Sequence, residues 1–463
     1  MPTNQTRTSR ATAMRSQLLP WMGMLTLALG GCSDPGAQDV GTPPPAKLMS
    51  RVAPLNAAPP GLAISGEYIV VFESEVNTSA IDTAVAEVVQ AGGANALMHQ
   101  YSIVPGFSAK LDATELARLR GNPAVAYIEE NAAVSINTTF PSPADGTDRV
   151  DQRLGRDGIY NDHGRTGFGV HLYVVDTGIN STHTEFTGRI GNGFSAINDG
   201  RGVEDCHGHG THVSSTAAGT QYGMAKKARI HPVRVLNCGG GGTWEGVIAG
   251  VDFVRANCAT QNGPCVANMS LGGGVSPTVN AAVTNAINAG VTFVVAAGNE
   301  STDACTRSPA STPGAITVAA TDDSDRRAWF SNFGNCVDIF APGVTILGAW
   351  IGSTTATNVI DGTSMASPHV AGVAAQYLTD HLNARTTQVE ANVKGSASLE
   401  CVTDTRGSPN TFLFSDLNQG NYTCSNTVAS CRGLCGGPGY GCFCEESCVQ
   451  YGDCCPDYAD ACQ

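Results

Sequence analysis

Four short stretches of this chain carry side chains able to do acyl-transfer chemistry. The longest is GTSMASPHVAG at 362–372, where Ser364 stands at the change from loop to helix and small and apolar residues follow at helical spacing. The first turn of a helix has unpaired N–H groups and the positive end of the dipole, both favourable to a developing oxyanion. A serine there can be a nucleophile, although most serines before helices are only caps. VVDTG at 174–178 sets Asp176 at the end of a strand, CHGHGTH at 206–212 puts three histidines at the start of a helix, and AAGN at 296–299 ends another strand on Asn299. Together they supply a nucleophile, an imidazole base, an acid to orient it and an amide donor for a tetrahedral oxyanion. Each alone has a structural use; jointly they point to one reaction. A zinc site on His207, His209 and His212 is the rival, but the HExxH arrangement is missing.

The elements that must position these groups alternate between strand and helix from about 139 to 417. Runs at 170–175, 230–235, 266–270 and 291–296 are short, β-branched and almost wholly apolar, and 243–256 and 278–289 have helical periodicity. Apolar strands separated by helices predict an α/β fold with a doubly wound parallel sheet, whose sites lie at the carboxyl ends of strands. Ahead of it, 66–135 gives strand 67–72, a helix capped by Ser79 and stopped at Gly92 and Gly93, strands 97–104 and 107–111, a helix opened by Asp112, and strand 124–128. That βαββαβ order is the split ferredoxin-like pattern.

At 463 residues the chain is long enough for roughly three domains. Its 26 basic and 40 acidic side chains give a net charge of -14, which argues against nucleic acid or anionic membrane as a partner through bulk charge. Seventeen cysteines, eight of them after residue 430, suit an oxidising compartment. Arg7, Arg10 and Arg15 before the apolar run 18–29 predict a signal peptide over 1–32. Its end, Leu29-Gly30-Gly31-Cys32, resembles the bacterial lipoprotein signal, which would place a lipid on Cys32 and leave sixteen cysteines to pair. The Pro-rich stretch 33–65 is a linker, 418–429 a second one, and 430–463 a disulfide knot too small for a hydrophobic core.

The motifs DTG, HGTH, SLGG, AAGN and GTSMASPHVAG occur in the order of the subtilisin superfamily, and YGMAKK, ANMSLGGG and APGVTI resemble the aqualysin-type members of its proteinase K branch. The likeness spans about 66–417. It implies a secreted serine endopeptidase of broad specificity and a self-processing zymogen, with 66–135 as inhibitory propeptide and 139–417 as peptidase domain. Asp176 would be the orienter, His209 the base, Ser364 the nucleophile and Asn299 the oxyanion donor. Substrate would lie as a strand between Ser270, Leu271, Gly272 and Gly273 on one side and 240–244, from Gly240 to Trp244, on the other; Trp244 can equally be subsite wall or core. The same resemblance pairs Cys206 with Cys238 and Cys305 with Cys336. Cys258 with Cys265 and Cys401 with Cys424 rest only on proximity and elimination. It also implies structural calcium, at Asp338 with the carbonyls of Pro313 and Ala315, and at Asp148, Asp151 and Gln152. The C-terminal cysteine spacing resembles the somatomedin B domain, which implies an extracellular protein partner. The enzyme is expected to be a monomer, reaching a membrane only through a lipid on Cys32.

Overall fold

The computed structural model describes residues 52–58, 61–135, 146–156, 158–424, 438–439 and 442–443. The expected signal peptide with Cys32, and nearly all of the knot, lie outside them. Among the described residues, no helix is long and apolar enough to cross a membrane.

The N-terminal domain comprises β1 (Ala63–Phe72), α1 (Thr78–Gly92), β2 (Leu97–Tyr101), β3 (Gly106–Lys110), α2 (Ala113–Arg120) and β4 (Val125–Ser135). Its strands run antiparallel in the order β4-β1-β3-β2. Asp112 caps α2, accepting from Thr114 N at 2.8 Å and Glu115 N at 2.9 Å. The cap of α1 is Asn77 rather than Ser79: Asn77 is extended and its side chain takes Ala80 N at 3.0 Å, while the Ser79 hydroxyl bonds to Asn77 at 2.8 Å from inside the first turn. Adjacent capping residue types cannot be ranked from sequence, since either can serve. Val70, Phe72, Phe107 and Ile128 face the two helices, and Ile69, Val71, Tyr101 and Ile103 on the other side join the core of the larger domain.

That larger domain is built on β5 (His171–Asp176), α3 (His209–Ala218), β6 (Arg229–Arg234), β7 (Gly241–Thr243), α4 (Trp244–Cys258), β8 (Cys265–Met269), α5 (Pro277–Asn288), β9 (Val291–Ala296), β10 (Ile316–Thr321), β11 (Ile339–Pro342), α6 (Thr363–Asp380) and α7 (Thr386–Gly395). The central strands, all parallel, run β11-β10-β9-β8-β5-β6. Alternate side chains divide the core: Leu172, Val174, Val266 and Val294 pack toward α3 and α6, and Tyr173, Val175, Ala267 and Val295 toward α4 and α5. A sheet covered on both faces needs mostly apolar strands, and this one is a doubly wound parallel α/β sheet.

Four disulfides join Cys206 to Cys238, Cys258 to Cys265, Cys305 to Cys336 and Cys401 to Cys424. The first ties the loop ahead of α3 to the turn after β6, closing 32 residues. Replacing both of its cysteines with serine should lower stability by about 3–4 kcal/mol through the freed loop of the unfolded chain. A denaturant melt unchanged from that of the parent would refute this.

Candidate active site

Asp176 ends β5 and His209 begins α3, both fully buried, with His209 Nδ1 2.7 Å from Asp176 Oδ1. Thr177 locks the pair in place. Its N–H donates to Asp176 Oδ1 at 2.7 Å, and its hydroxyl accepts from Gly210 N at 2.8 Å and donates to Asp205 at 3.0 Å. Asp205 in turn accepts from the N–H groups of His207, Gly208 and Thr211, each at 2.9 Å, so a carboxylate neutralises the positive end of α3 beside the imidazole. Two glycines permit this approach. A Cβ on Gly210 would lie 2.3 Å from Gly178 O, and one on Gly208, which has φ 109°, 2.4 Å from the Trp350 ring.

The other histidines are placed differently. His212 is buried with Nε2 2.9 Å from Ile346 O, and burial pushes its pKa down to about 3, so it stays neutral. His207 is partly exposed, its Nδ1 accepting from His209 N at 3.4 Å. The zinc alternative also lacks convergence. Among the described residues the one group with metal-ligand atoms close together is Asp199, Cys206 and Cys238, whose sulfurs are joined to each other.

Ser364 is the second residue of α6 and is 3% exposed. Its hydroxyl donates to Ser270 O at 3.0 Å, while Ser270 Oγ donates back to Ser364 O at 2.8 Å. Behind them Asn268 Nδ2 donates to Ser270 Oγ at 2.8 Å and Ser367 Oγ to Asn268 Oδ1 at 2.7 Å. This network clamps the turn that presents Ser364. His209 Nε2 is buried and has no hydrogen-bond partner among the described residues. The Ser364 hydroxyl, which donates to Ser270 O instead, is therefore not hydrogen-bonded to it, a state common before substrate is seated. Asn299 Oδ1 accepts from Thr363 N at 2.9 Å and Thr363 Oγ1 at 2.7 Å. Its amide is thereby oriented by its oxygen, with Nδ2 as its donor end. Ser364, Asn299, Ser270, Leu271, Gly272 and Gly273 line one pocket.

The N-terminal domain reaches into this cleft. β4 runs seven residues beyond the expected end at 128, and Ala133, Val134 and Ser135 pair antiparallel with Thr243, Gly242 and Gly241, next to Gly240. Local pattern cannot show that extension because the partner strand is over a hundred residues away. Trp244 is 1% exposed, with its ring 2.9 Å from the point a Cβ on Gly273 would occupy and Val134 Cγ1 3.4 Å from the same point. Its burial is thus shared with a side chain of the other domain, which places Trp244 in the core. Two further contacts close the joint: Glu129 accepts from Thr278 N at 3.2 Å and Thr278 Oγ1 at 2.6 Å at the start of α5, and Asn131 Oδ1 accepts from Glu245 N at 3.1 Å at the start of α4. Burial raises the Glu129 pKa against these bonds.

The remaining candidates lie away from the cleft. Asp338, Pro313 and Ala315 line one cavity. Asp148 accepts from Gly158 N at 3.1 Å and Asp151 from Asn161 N at 2.6 Å, while Gln152 O accepts from Arg149 at 2.8 Å, so the loop folds over its own acids. Thr177, Asp205, Asn268 and Thr363 were not singled out by sequence reasoning. Asn268 alone had a signal, as a polar residue inside an apolar strand.

Comparison with known proteins follows these boundaries. Residues 167–421 match the Subtilase family, 67–137 Peptidase inhibitor I9, and 429–463 the Somatomedin B domain. The chain is 44% identical over 414 residues to the "Extracellular serine proteinase" of Thermus sp. (strain Rt41A), covering 85% of this chain and 98% of that one. It is 42% identical over 402 residues to the "Alkaline serine exoprotease A" of Vibrio alginolyticus, covering 83% and 72%. A solved structure, "Crystal structure of a cold adapted subtilisin-like serine proteinase", is 49% identical with a TM-score of 0.56, covering 59% of this chain and 98% of that one.

Proposed function

Since this chain belongs to the subtilase family and is a serine endopeptidase with an I9 propeptide, we propose that Asp176, His209 and Ser364 are its triad and Asn299 its oxyanion donor. The observation that carries this is the 2.7 Å His209–Asp176 contact at the start of α3, the helix that packs against α6, whose Ser364 shares a pocket with Asn299. In the reaction Ser364 Oγ attacks the scissile carbonyl carbon as His209 Nε2 takes its proton. Asp176 keeps the other ring proton on Nδ1 and stabilises the imidazolium. Asn299 Nδ2 and the N–H groups opening α6 receive the oxyanion. His209 then protonates the leaving amine, and water, activated by the same base, frees the acyl group. Mapping a fluorophosphonate adduct to the Ser364 peptide tests the assignment; an adduct elsewhere rejects it. Asn299→Ala should reduce kcat by about 10²–10³-fold with little change in KM, because its donor is used only once the oxyanion forms. A rise in KM with kcat unchanged would instead make Asn299 a ground-state binder.

The enzyme is secreted as a zymogen that cuts its own chain near 136–140, with specificity broad and set mainly by backbone pairing along 240–244 and 270–273. The pairing of residues 133–135 with β7 supports this, since it lays the propeptide's end along one of the expected substrate edges. A lipid on Cys32 would hold the propeptide and let maturation release the peptidase, which acts as a monomer. The somatomedin B domain would bind an extracellular protein. Calcium stabilises the fold through Asp148, Asp151 and Gln152. Their oxygens gather on one loop, the donor chemistry such an ion needs.

A further inference from the structure

The family calcium set at Asp338 does not fit its ion here, because a lysine side chain already holds its carboxylate. Lys394 stands in the last turn of α7, where the buried Val389 and Val393 fix the helix against the core. Its Nζ lies 2.8 Å from Asp338 Oδ1 and 3.1 Å from Glu390 Oε1, one helical turn back. The other Asp338 oxygen, Oδ2, accepts from Thr317 N at 2.9 Å. Both oxygens of the expected carboxylate ligand are therefore engaged, one of them by a full positive charge. Glu390, Asp338, Pro313 and Ala315 line the same cavity. The end of α7 adds its own attraction for a cation at this point.

We infer that Lys394 is a tethered counter-ion that takes the place of calcium at Asp338, so that this part of the fold holds without metal. Calcium would need oxygen ligands at about 2.3–2.6 Å, and an ammonium in contact with the same carboxylate both blocks that approach and repels the dication. Lys394 and Glu390, at i and i+4, share one side of the helix, so the lysine is also braced by a neighbour on its own element. The inference modifies the calcium reading above, which rests on the Asp148 loop alone, and the two can fail separately.

The test uses the full chain with Ser364→Ala, to prevent self-cleavage, stripped of metal and then dialysed against calcium. Adding Lys394→Met should give one more bound calcium per chain than the parent, and adding Asp338→Asn to that variant should remove it again. In chelator, Lys394→Met should melt below the parent. At about a hundredfold excess of calcium over its dissociation constant it should regain several degrees. The inference is overturned if Lys394→Met gains no calcium, or if Asp338→Asn alone costs the parent one. A parent that binds none while Lys394→Met binds one would reject the Asp148 loop as a calcium site and leave the lysine assignment standing.

Discussion

Ser364→Ala should accumulate at full length and take no fluorophosphonate, and its turnover of a chromogenic peptide should fall by on the order of a millionfold. The size follows from the role: without a nucleophile, water must attack unaided, and His209 and Asp176 lose the proton they are placed to move. The substitution should not disturb folding. Ser364 Oγ makes its bond to Ser270 O at the surface of the pocket, whereas the reverse bond from Ser270 Oγ to the Ser364 carbonyl involves only backbone at position 364 and survives. The contacts of 129–135 with α4, α5 and β7 are equally untouched, so the protein should be trapped as the complex of propeptide and peptidase. Secretion of a shortened Ser364→Ala protein from cells lacking other proteases would remove the case for self-processing. A folded wild type that neither shortens nor labels would remove the nucleophile itself.

Much of the fold could be read from the chain because its signals are local. Val291–Ala296 is apolar at every position but Thr292, as suits a strand covered on both faces, and the matching β9 is buried throughout. Asp112 ahead of α2 outranks its neighbour Thr114 as a cap and does what its type predicts. Asn77 and Ser79 do compete, and the outcome turns on a backbone conformation that the sequence leaves open. β10 and β11 were not separated from the surrounding loops. Ala319, Ala320 and Ala341 make them less apolar in appearance than they are in burial. The site divides in the same way. Asp176, His209, Asn299 and Ser364 sit in long motifs. Thr177 and Asn268 lie in such motifs too, but they and Asp205 act by hydrogen bonds to groups 28 to 99 residues distant, and those partners no window of sequence displays. Lys394 is the extreme case. A lysine in the last turn of a helix is expected for the dipole alone, and only the fold brings it to Asp338, 56 residues earlier.

Asp176→Asn is expected to cost about 10⁴-fold in kcat while leaving KM and the fold nearly intact. The asparagine is the same size and Thr177 N can still donate to its oxygen, so the backbone at the end of β5 has no reason to move. What is lost is the charge. Asp176 is fully buried, and its negative charge is the nearest counterpart to the imidazolium that His209 becomes as Ser364 attacks. An amide cannot balance that charge, and if its NH2 group faces Nδ1 it fixes the ring proton on Nε2, the nitrogen that must accept. Asp205 provides the control. It organises the same helix start through Thr177, Gly208 and Thr211 but does not touch the His209 ring, so Asp205→Asn should lower stability while costing far less in kcat per folded molecule. The contrast separates charge at the imidazole from order in the loop. If the two variants lost activity equally per folded molecule, Asp176 would be acting only as a structural anchor for α3, and the orienting role assigned to it would fail.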